Sequence, residues 1–280
     1  MLIPMTAERW DACADQAWEL ACSLKTSGFP TYLDGVKTRA DFDRQAHQGL
    51  ADERDVLLTF ERDGAARGYI HAYALPEERY VSTCFFLTED GWQGAALAEF
   101  TAWARQRWPG AQLDLGFPEE NASACAWLEA NGFTRIEQTT EYMLSLDDAP
   151  EREVPPEVRR LTNAPEDEAL LRTLHTDPAM YWTSERVLAD WQNWLVYVNR
   201  RDALLMCMRD TLLPEIFAVF CPKEMWARAV PGMLAACTRA LRAEGAKHLC
   251  YFAEDDVEAA ILTDFGFRRI AGYAAFTTRL

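Results

Sequence analysis

Histidine is scarce in this chain, and so is positive charge. Four histidines occur in 280 residues, at positions 47, 71, 175 and 248. None stands at the short spacing from another ligand that marks a metal site in sequence, so no metal is expected. The eight cysteines (13, 22, 84, 125, 207, 221, 237, 250) include no C-x-x-C pair. Several lie in apolar runs such as Ser82-Thr-Cys-Phe-Phe-Leu87, which reads as reduced core thiols of a cytosolic protein. No run approaches the roughly 20 apolar residues that span a bilayer. The opening Met1-Leu-Ile-Pro-Met-Thr-Ala-Glu8 is too short and too soon acidic for a signal peptide. The expectation is a soluble, cytoplasmic protein with no membrane partner.

Lysine and arginine number 28 against 44 aspartates and glutamates, a net charge of −16. A chain this acidic has no general basic surface for nucleic acid. Residues 1–147 hold 24 acidic and 12 basic side chains, and the remainder holds 20 and 16. An acidic first half suits a cationic amine substrate, and equally suits plain solubility.

What the chain does have is apolar material, 49% of residues with 12% aromatic. That is enough for a core in each of two ordinary domains. A repeat supports two. Residues 126–136 and 260–270 both fit A-x-L-x-x-x-G-F-x-R-I, 134 residues apart. So long a period signals duplicated domains and not a solenoid. Between the copies, Asp147-Asp-Ala-Pro-Glu-Arg-Glu-Val-Pro-Pro-Glu157 is rich in proline and charge, which is linker chemistry. The expected division is a first domain at 1–148, a linker at 149–157 and a second domain at 158–280.

Periodicity and turn residues predict, for the first half, helices over 6–24 and 38–50. Strands follow at 56–60, 68–75 and 80–87, then a helix over 91–107 and a strand at 112–115. A helix over 121–131 and a strand over 133–146 close the half. A short strand is expected at the very start. The second half reads similarly: helices near 165–175 and 184–194, strands at 194–198, 203–209 and 215–221, and a helix near 232–244. A strand at 248–252, a helix at 255–265 and a closing strand from 267 complete it. The fold class is mixed α/β (α+β), twice over, each copy with a strongly twisted, splayed sheet.

This duplicated order resembles the GNAT N-acyltransferase superfamily in a tandem form. The most specific stretch is Asn121-Ala-Ser-Ala-Cys-Ala-Trp-Leu-Glu-Ala-Asn-Gly-Phe133, which looks like the family's N-x-x-A block followed by a helix ending in Gly-Phe. The resemblance places Asn121 at the cofactor arm. It also implies a Gln/Arg-x-x-Gly-x-Gly/Ala loop that lays the CoA pyrophosphate on a helix N-terminus. The matching stretch is Leu87-Thr-Glu-Asp-Gly-Trp-Gln-Gly94-Ala-Ala96. Gly94 and Ala96 fit, and Gly91 stands where Gln or Arg is usual. Leu87, Gly91, Gln93, Gly94, Ala95, Ala96 and Asn121 are the expected cofactor residues, with acetyl-CoA as co-substrate. Glu89 and Asp90 put negative charge beside that loop.

The second copy departs further. Its stretch Trp226-Ala-Arg-Ala-Val-Pro-Gly232 keeps one glycine, Pro231 lacks an N–H donor, and Asp255 replaces Asn121. It reads as a degenerate copy, so the cofactor is expected in the first half.

Acyl transfer to an amine needs a base for the ammonium, an acid for the thiolate and N–H groups for the oxyanion. The resemblance implies an acidic Tyr four residues before the Gly-Phe glycine, but Leu128 and Leu262 stand there. The remaining catalytic candidates are Glu78 and Tyr80, flanking the start of the central strand, and Tyr142 on the last one. For each the plain alternative is a solvated turn or core packing. Phe29 and Tyr32, in Gly28-Phe-Pro-Thr-Tyr32, are candidates for contacting substrate or for anchoring a turn. Tyr181, Trp182, Trp191, Trp194 and Tyr197 read as core or interface before they read as a pocket. The expected function is acetyl transfer from acetyl-CoA to a small amine. The alternative is a catalytically degenerate tandem protein that binds a ligand or partner.

Overall fold

The structure is a computed structural model describing residues 1–178, 180–209 and 213–280. Several of its helices begin where a side chain closes the first turn. Helix α1 (Ala7–Ala21) is capped by Thr6, whose hydroxyl accepts from the Arg9 amide. Helix α2 (Arg39–Ala51) opens with a reciprocal capping box between Thr38 and Asp41. Trp10, Ala14, Ala17 and Ala21 recur at helical spacing and form the buried face of α1.

Strands β1 (Leu2–Pro4), β2 (Asp55–Arg62) and β3 (Ala65–Leu75) follow as antiparallel neighbours. The β2–β3 hairpin turns on Asp63 and Gly64, both at positive φ as a tight two-residue turn requires. After a 3-10 turn at Pro76–Glu78 come β4 (Tyr80–Thr88), α3 (Gln93–Arg107), β5 (Gln112–Pro118), α4 (Ala122–Ala130) and β6 (Thr134–Ser145). The second copy runs β7 (Val158–Arg160), α5 (Pro165–Leu174), α6 (Ser184–Ala189), β8 (Trp194–Asn199), β9 (Ala203–Met208) and β10 (Glu215–Phe220). It ends with α7 (Trp226–Ala243), β11 (His248–Ala253), α8 (Asp256–Phe265) and β12 (Arg268–Arg279).

The chain forms two compact units, but they do not divide at one linker. The first holds Met1–Thr139 together with Ala271–Leu280, and the second holds Thr140–Ile270. The single boundary expected near residue 150 is therefore replaced by two crossings, one inside β6 and one inside β12. The reason is strand pairing. Tyr273–Arg279 of β12 pair antiparallel with Gln112–Pro118 of β5. Thr140–Ser145 of β6 pair antiparallel with His248–Ala253 of β11. Each copy's last strand thus completes the sheet of the other copy. Phe276 accordingly packs in the first unit's core with Leu115 and Phe117, while Tyr142 packs in the second unit's core with Leu249 and Tyr251.

In the first unit the strand order is β1-β2-β3-β4-β5-β12. One face packs on α3 and α4 through Phe86, Leu97, Phe100 and Leu128. The opposite face packs on α1 and α2 through Trp10, Phe42, Tyr69 and Phe85. The second unit has the order β6-β11-β10-β9-β8-β7. Its α7 and α8 cover the face of Leu195, Leu205 and Leu249, and Leu171 of α5 and Val187 of α6 pack on the face of Trp194, Val196 and Met206.

Two helix expectations need correction. Helix α7 begins at Trp226 and not near 232, so Gly232 lies two turns inside it, where an added Cβ would stand 2.9 Å from Pro155 Cδ. Its close contact with Pro155, not a ligand, is what excludes a side chain there. Helix α6 ends at Ala189 and not near 194, because the chain passes into a 3-10 turn at Trp191–Asn193, and the strand expected from Trp194 is β8. Trp194, with Trp182 and Phe217, is core. All eight cysteines are free thiols. Among the described residues no helix is long and apolar enough to cross a membrane.

Candidate active site

The repeated block folds the same way in both copies. The Phe133 amide donates to the Leu128 carbonyl at 3.1 Å, and the Phe267 amide to the Leu262 carbonyl at 2.9 Å. Gly132 and Gly266 take the positive φ that lets the helix end there. Leu128 and Leu262 are fully buried, so the position where a catalytic Tyr was sought points into the core in both.

Among the described residues each unit has one parallel strand pair, and it soon parts. Strands β4 and β5 are paired only at Tyr80–Gln112 and Val81–Leu113, and β10 and β11 only at Glu215–Cys250 and Ile216–Tyr251. The strand before each parting is bulged: β4 against β3 beside Cys84, and β10 between Ile216 and Ala218. Bulges increase local twist and drive the strands apart. Beyond the last pair, each strand has main-chain groups facing a gap.

In the first unit the gap is filled by the chain itself. Gly28 donates its amide to the Phe86 carbonyl at 2.6 Å, and Phe29 to the Gly116 carbonyl at 2.9 Å. Thr88 donates to the Thr26 carbonyl at 2.9 Å, and Ser27 bridges antiparallel to Leu87. Residues 26–29 therefore bond to both strands. Glycine is required at 28, because a Cβ would meet Phe86 Cβ at 3.1 Å, its carbonyl at 3.2 Å and the Gly116 carbonyl at 3.3 Å.

The expected cofactor residues surround this plug. Leu87 is a buried residue of β4. Asn121 caps α4, accepting from the Ala124 amide, and its Nδ2 donates to the Ser27 carbonyl at 3.0 Å. Gln93 is buried, and its Nε2 donates to the Lys25 carbonyl at 3.2 Å while its Oε1 has no partner among the described residues. Gly94 lies in the first turn of α3 under Trp127, whose Cδ1 would be 2.8 Å from an added Cβ. Ala95 is half-buried and Ala96 buried, while Gly91 is exposed at positive φ, its amide on the Asp90 carboxylate at 3.0 Å. Glu89 is drawn off by Arg67 at 2.7 Å and Gln16 at 3.0 Å. Its charge is thus partly neutralised.

The proposed catalytic residues are not brought together. Glu78 is exposed on the 3-10 turn. Tyr80 is half-buried at the closed end of the β4–β5 pair, where burial, with Tyr73 and Asp114 beside it, raises its phenol above the ordinary value. Tyr142 belongs to the second unit's core. Of the substrate candidates, Phe29 packs at a tilt against Tyr273 with ring centres 4.6 Å apart. Tyr32 is buried among Trp18 and Phe42, and its hydroxyl donates to Gln45 at 2.5 Å.

The second unit's corresponding corner is charged differently. Lys223 reaches Asp255 at 2.8 Å and Glu258 at 2.6 Å. Tyr251 and the Glu254 amide both donate to the other Glu258 oxygen. Hydrogen bonding to Lys223 holds Asp255 below the usual carboxylate range. One ammonium between two carboxylates leaves net negative charge, which disfavours an anionic cofactor. Sequence reading missed the Lys223–Glu258 pair and the plug. Gly28 was its one visible signal, and a glycine between two helices reads first as a turn.

No protein-family model and no curated protein matches this chain. Solved structures do. A GCN5-related N-acetyltransferase from Sphaerobacter thermophilus matches with a TM-score of 0.65 and 16% identity, over 100% of this chain and 95% of that one. A tandem GNAT protein from the clavulanic acid biosynthesis pathway matches with 0.55 and 13%, over 100% and 98%. A GCN5-related glucosamine N-acetyltransferase region of a fungal multi-domain β-N-acetylglucosaminidase matches with 0.61 and 13%, over 99% of this chain and 38% of that one. Identities this low speak of fold alone, and the matches to the first two run nearly end to end. The chain has the fold of the GNAT N-acetyltransferases in its tandem form.

Proposed function

We propose that this protein is an N-acyltransferase that moves an acetyl group from acetyl-CoA to a small amine, with the acyl donor seated in the first unit. The observation that carries this reading is the parting of β4 from β5 beyond Val81 and Leu113, directly before the helix that opens on Gln93 and Gly94. Main-chain groups along the parted strands suit an extended, amide-bearing donor, and the free N–H groups at the start of α3 suit its phosphates. Glu78 and Tyr80 are the groups proposed for proton transfer, and a thiolate is a tolerable leaving group without a dedicated acid. Phe29 lies in the segment that must leave for the donor to enter. The acidic first half favours a cationic acceptor over nucleic acid.

The filled gap favours a second reading, a GNAT-like protein that binds a ligand or partner without turnover. Thiol release from acetyl-CoA over a panel of amines separates the two. Turnover with any amine supports the transferase, whereas donor binding without thiol release supports the binder. Absence of both removes the donor site from the first unit.

A further inference from the structure

Asp55, His71 and Cys84 are 16 and 13 residues apart in sequence. They come from three adjacent strands, β2, β3 and β4, on the α1–α2 side of the first unit's sheet. One donor atom from each, carboxylate oxygen, imidazole nitrogen and thiol sulfur, lies within 4.8 Å of the others. His71 Nε2 is 2.6 Å from Asp55 Oδ2.

The arrangement depends on two backbone features. Across β3 and β4, His71 is opposite Phe85 and Ala72 is opposite Thr83, so Cys84 is the extra residue of a bulge. A regular strand would send Cys84 to the face opposite Phe85, and the bulge re-aims it toward His71. Gly49 of α2 lies against the imidazole, where any Cβ would stand 2.3 Å from His71 Nε2. The site has space because that residue is glycine.

His71 is 1% exposed, and the ring nitrogen that faces the Asp55 carboxylate is Nε2, the edge on which a metal would sit. We propose that Asp55, His71 and Cys84 bind one zinc-class cation, with water in the fourth position. Nitrogen, sulfur and carboxylate donors suit zinc, and three protein ligands with one open position is an established zinc geometry. Calcium and magnesium call for oxygen donors throughout.

The fit requires little movement. Tetrahedral zinc sets neighbouring nitrogen and oxygen donors roughly 3.3 Å apart, so the Asp55 carboxylate must withdraw by about 0.7 Å. Its side chain is 17% exposed and has room to do so. An outer layer is in place: Gln45 hydrogen-bonds Cys84, and Tyr32 donates to Gln45 at 2.5 Å. The thiol gives its proton to solvent as the sulfur–metal bond forms. This assignment is independent of the acyl-transfer reading.

The test uses the full chain, stripped with chelator and titrated with Co²⁺. One equivalent should bind with a thiolate-to-cobalt band in the near ultraviolet and tetrahedral bands in the visible, both removed by Zn²⁺. Cys84→Ser should abolish the thiolate band and weaken Zn²⁺ binding at least tenfold. Wild type should melt higher with Zn²⁺ than with chelator, and Cys84→Ser should show no such difference. Circular dichroism of the metal-free variant establishes that it is folded. If folded wild type takes up no stoichiometric cobalt, or if Cys84→Ser keeps the thiolate band, the site is overturned. The seven other cysteines would then account for any retained band.

Discussion

The Asn121 side-chain amide donates to the Ser27 carbonyl at 3.0 Å, tying the cap of α4 to a segment 94 residues away. Both partners are buried. The same Asn121 oxygen accepts from the Ala124 amide, so one side chain caps a helix and fastens the plug. Asn121→Asp keeps the cap and replaces the donor with a second acceptor facing a carbonyl. We expect a loss of about 1–3 kcal/mol in urea unfolding, the cost of a buried polar group left unmatched. Hydrogen exchange at the Gly28, Phe29 and Thr88 amides should quicken relative to the β2–β3 amides. Unchanged exchange at those three would show that Asn121 does not hold the segment.

The glycines of the two helix starts should respond differently. Gly94→Val sets a branched side chain against Trp127 at the start of α3, where an added Cβ already falls 2.8 Å from the ring. Acetyl-CoA binding by calorimetry should fall at least tenfold, which is about 1.4 kcal/mol. Gly232→Val instead crowds Pro155 inside α7. It should cost about 1–3 kcal/mol of stability through overpacking and leave donor binding unchanged. The reverse pattern would place the donor in the second unit.

Leu128 stands where the family resemblance leads one to seek a tyrosine acid. Its side chain is fully buried in the core that includes Phe100 and Phe117. Leu128→Tyr should destabilise the protein by about 1–3 kcal/mol without raising the rate of thiol release, since the new hydroxyl would enter a core and not a cleft. A gain in turnover would mean that the helix presents this position to the acceptor.

Asp167 offers a pH test. It accepts from the Thr162 amide and hydroxyl at 2.8 Å each and pairs with Arg159 at 2.7 Å. Hydrogen bonding to Arg159 leads the causes that depress its carboxyl to about 2, below the ordinary aspartate value of 3.8. A depressed folded-state value means that its stabilisation is fully present above the unfolded value and is lost as pH falls through the folded one. Wild type should therefore lose stability relative to Asp167→Asn between about pH 4 and pH 2. At neutral pH Asp167→Asn should be less stable by about 1–3 kcal/mol, as expected for hydrogen bonds to a charged acceptor. A difference between the two that does not narrow on acidification would remove the carboxylate from the account.

Much of the fold was legible because its signals are local. The apolar and β-branched runs of β2 and β3 and the Leu–Gly–Phe helix ends depend on residues within a few positions of one another. Helix α7 was misplaced because the reading started it at a glycine, the family's signature, although α7 runs unbroken through Pro231 from Trp226. The site was legible only in part. Asn121, Gln93 and Gly94 do gather at one corner of the first unit, but nothing in their sequence neighbourhood announces that residues 26–29 are bonded there.

The sequence by itself determined the two-copy α/β plan, the repeated helix end, the acidic surface and the free thiols, since these follow from composition, periodicity and turn chemistry. Only the tertiary structure decided which strand closes which sheet. Main-chain hydrogen bonds between strands are indifferent to residue type, so β5 could have taken either copy's last strand, and it takes β12. The same physics fills the gap beside β4 with residues 26–29. It also brings Asp55, His71 and Cys84 together, because a bulge of one residue changes the face on which a side chain emerges.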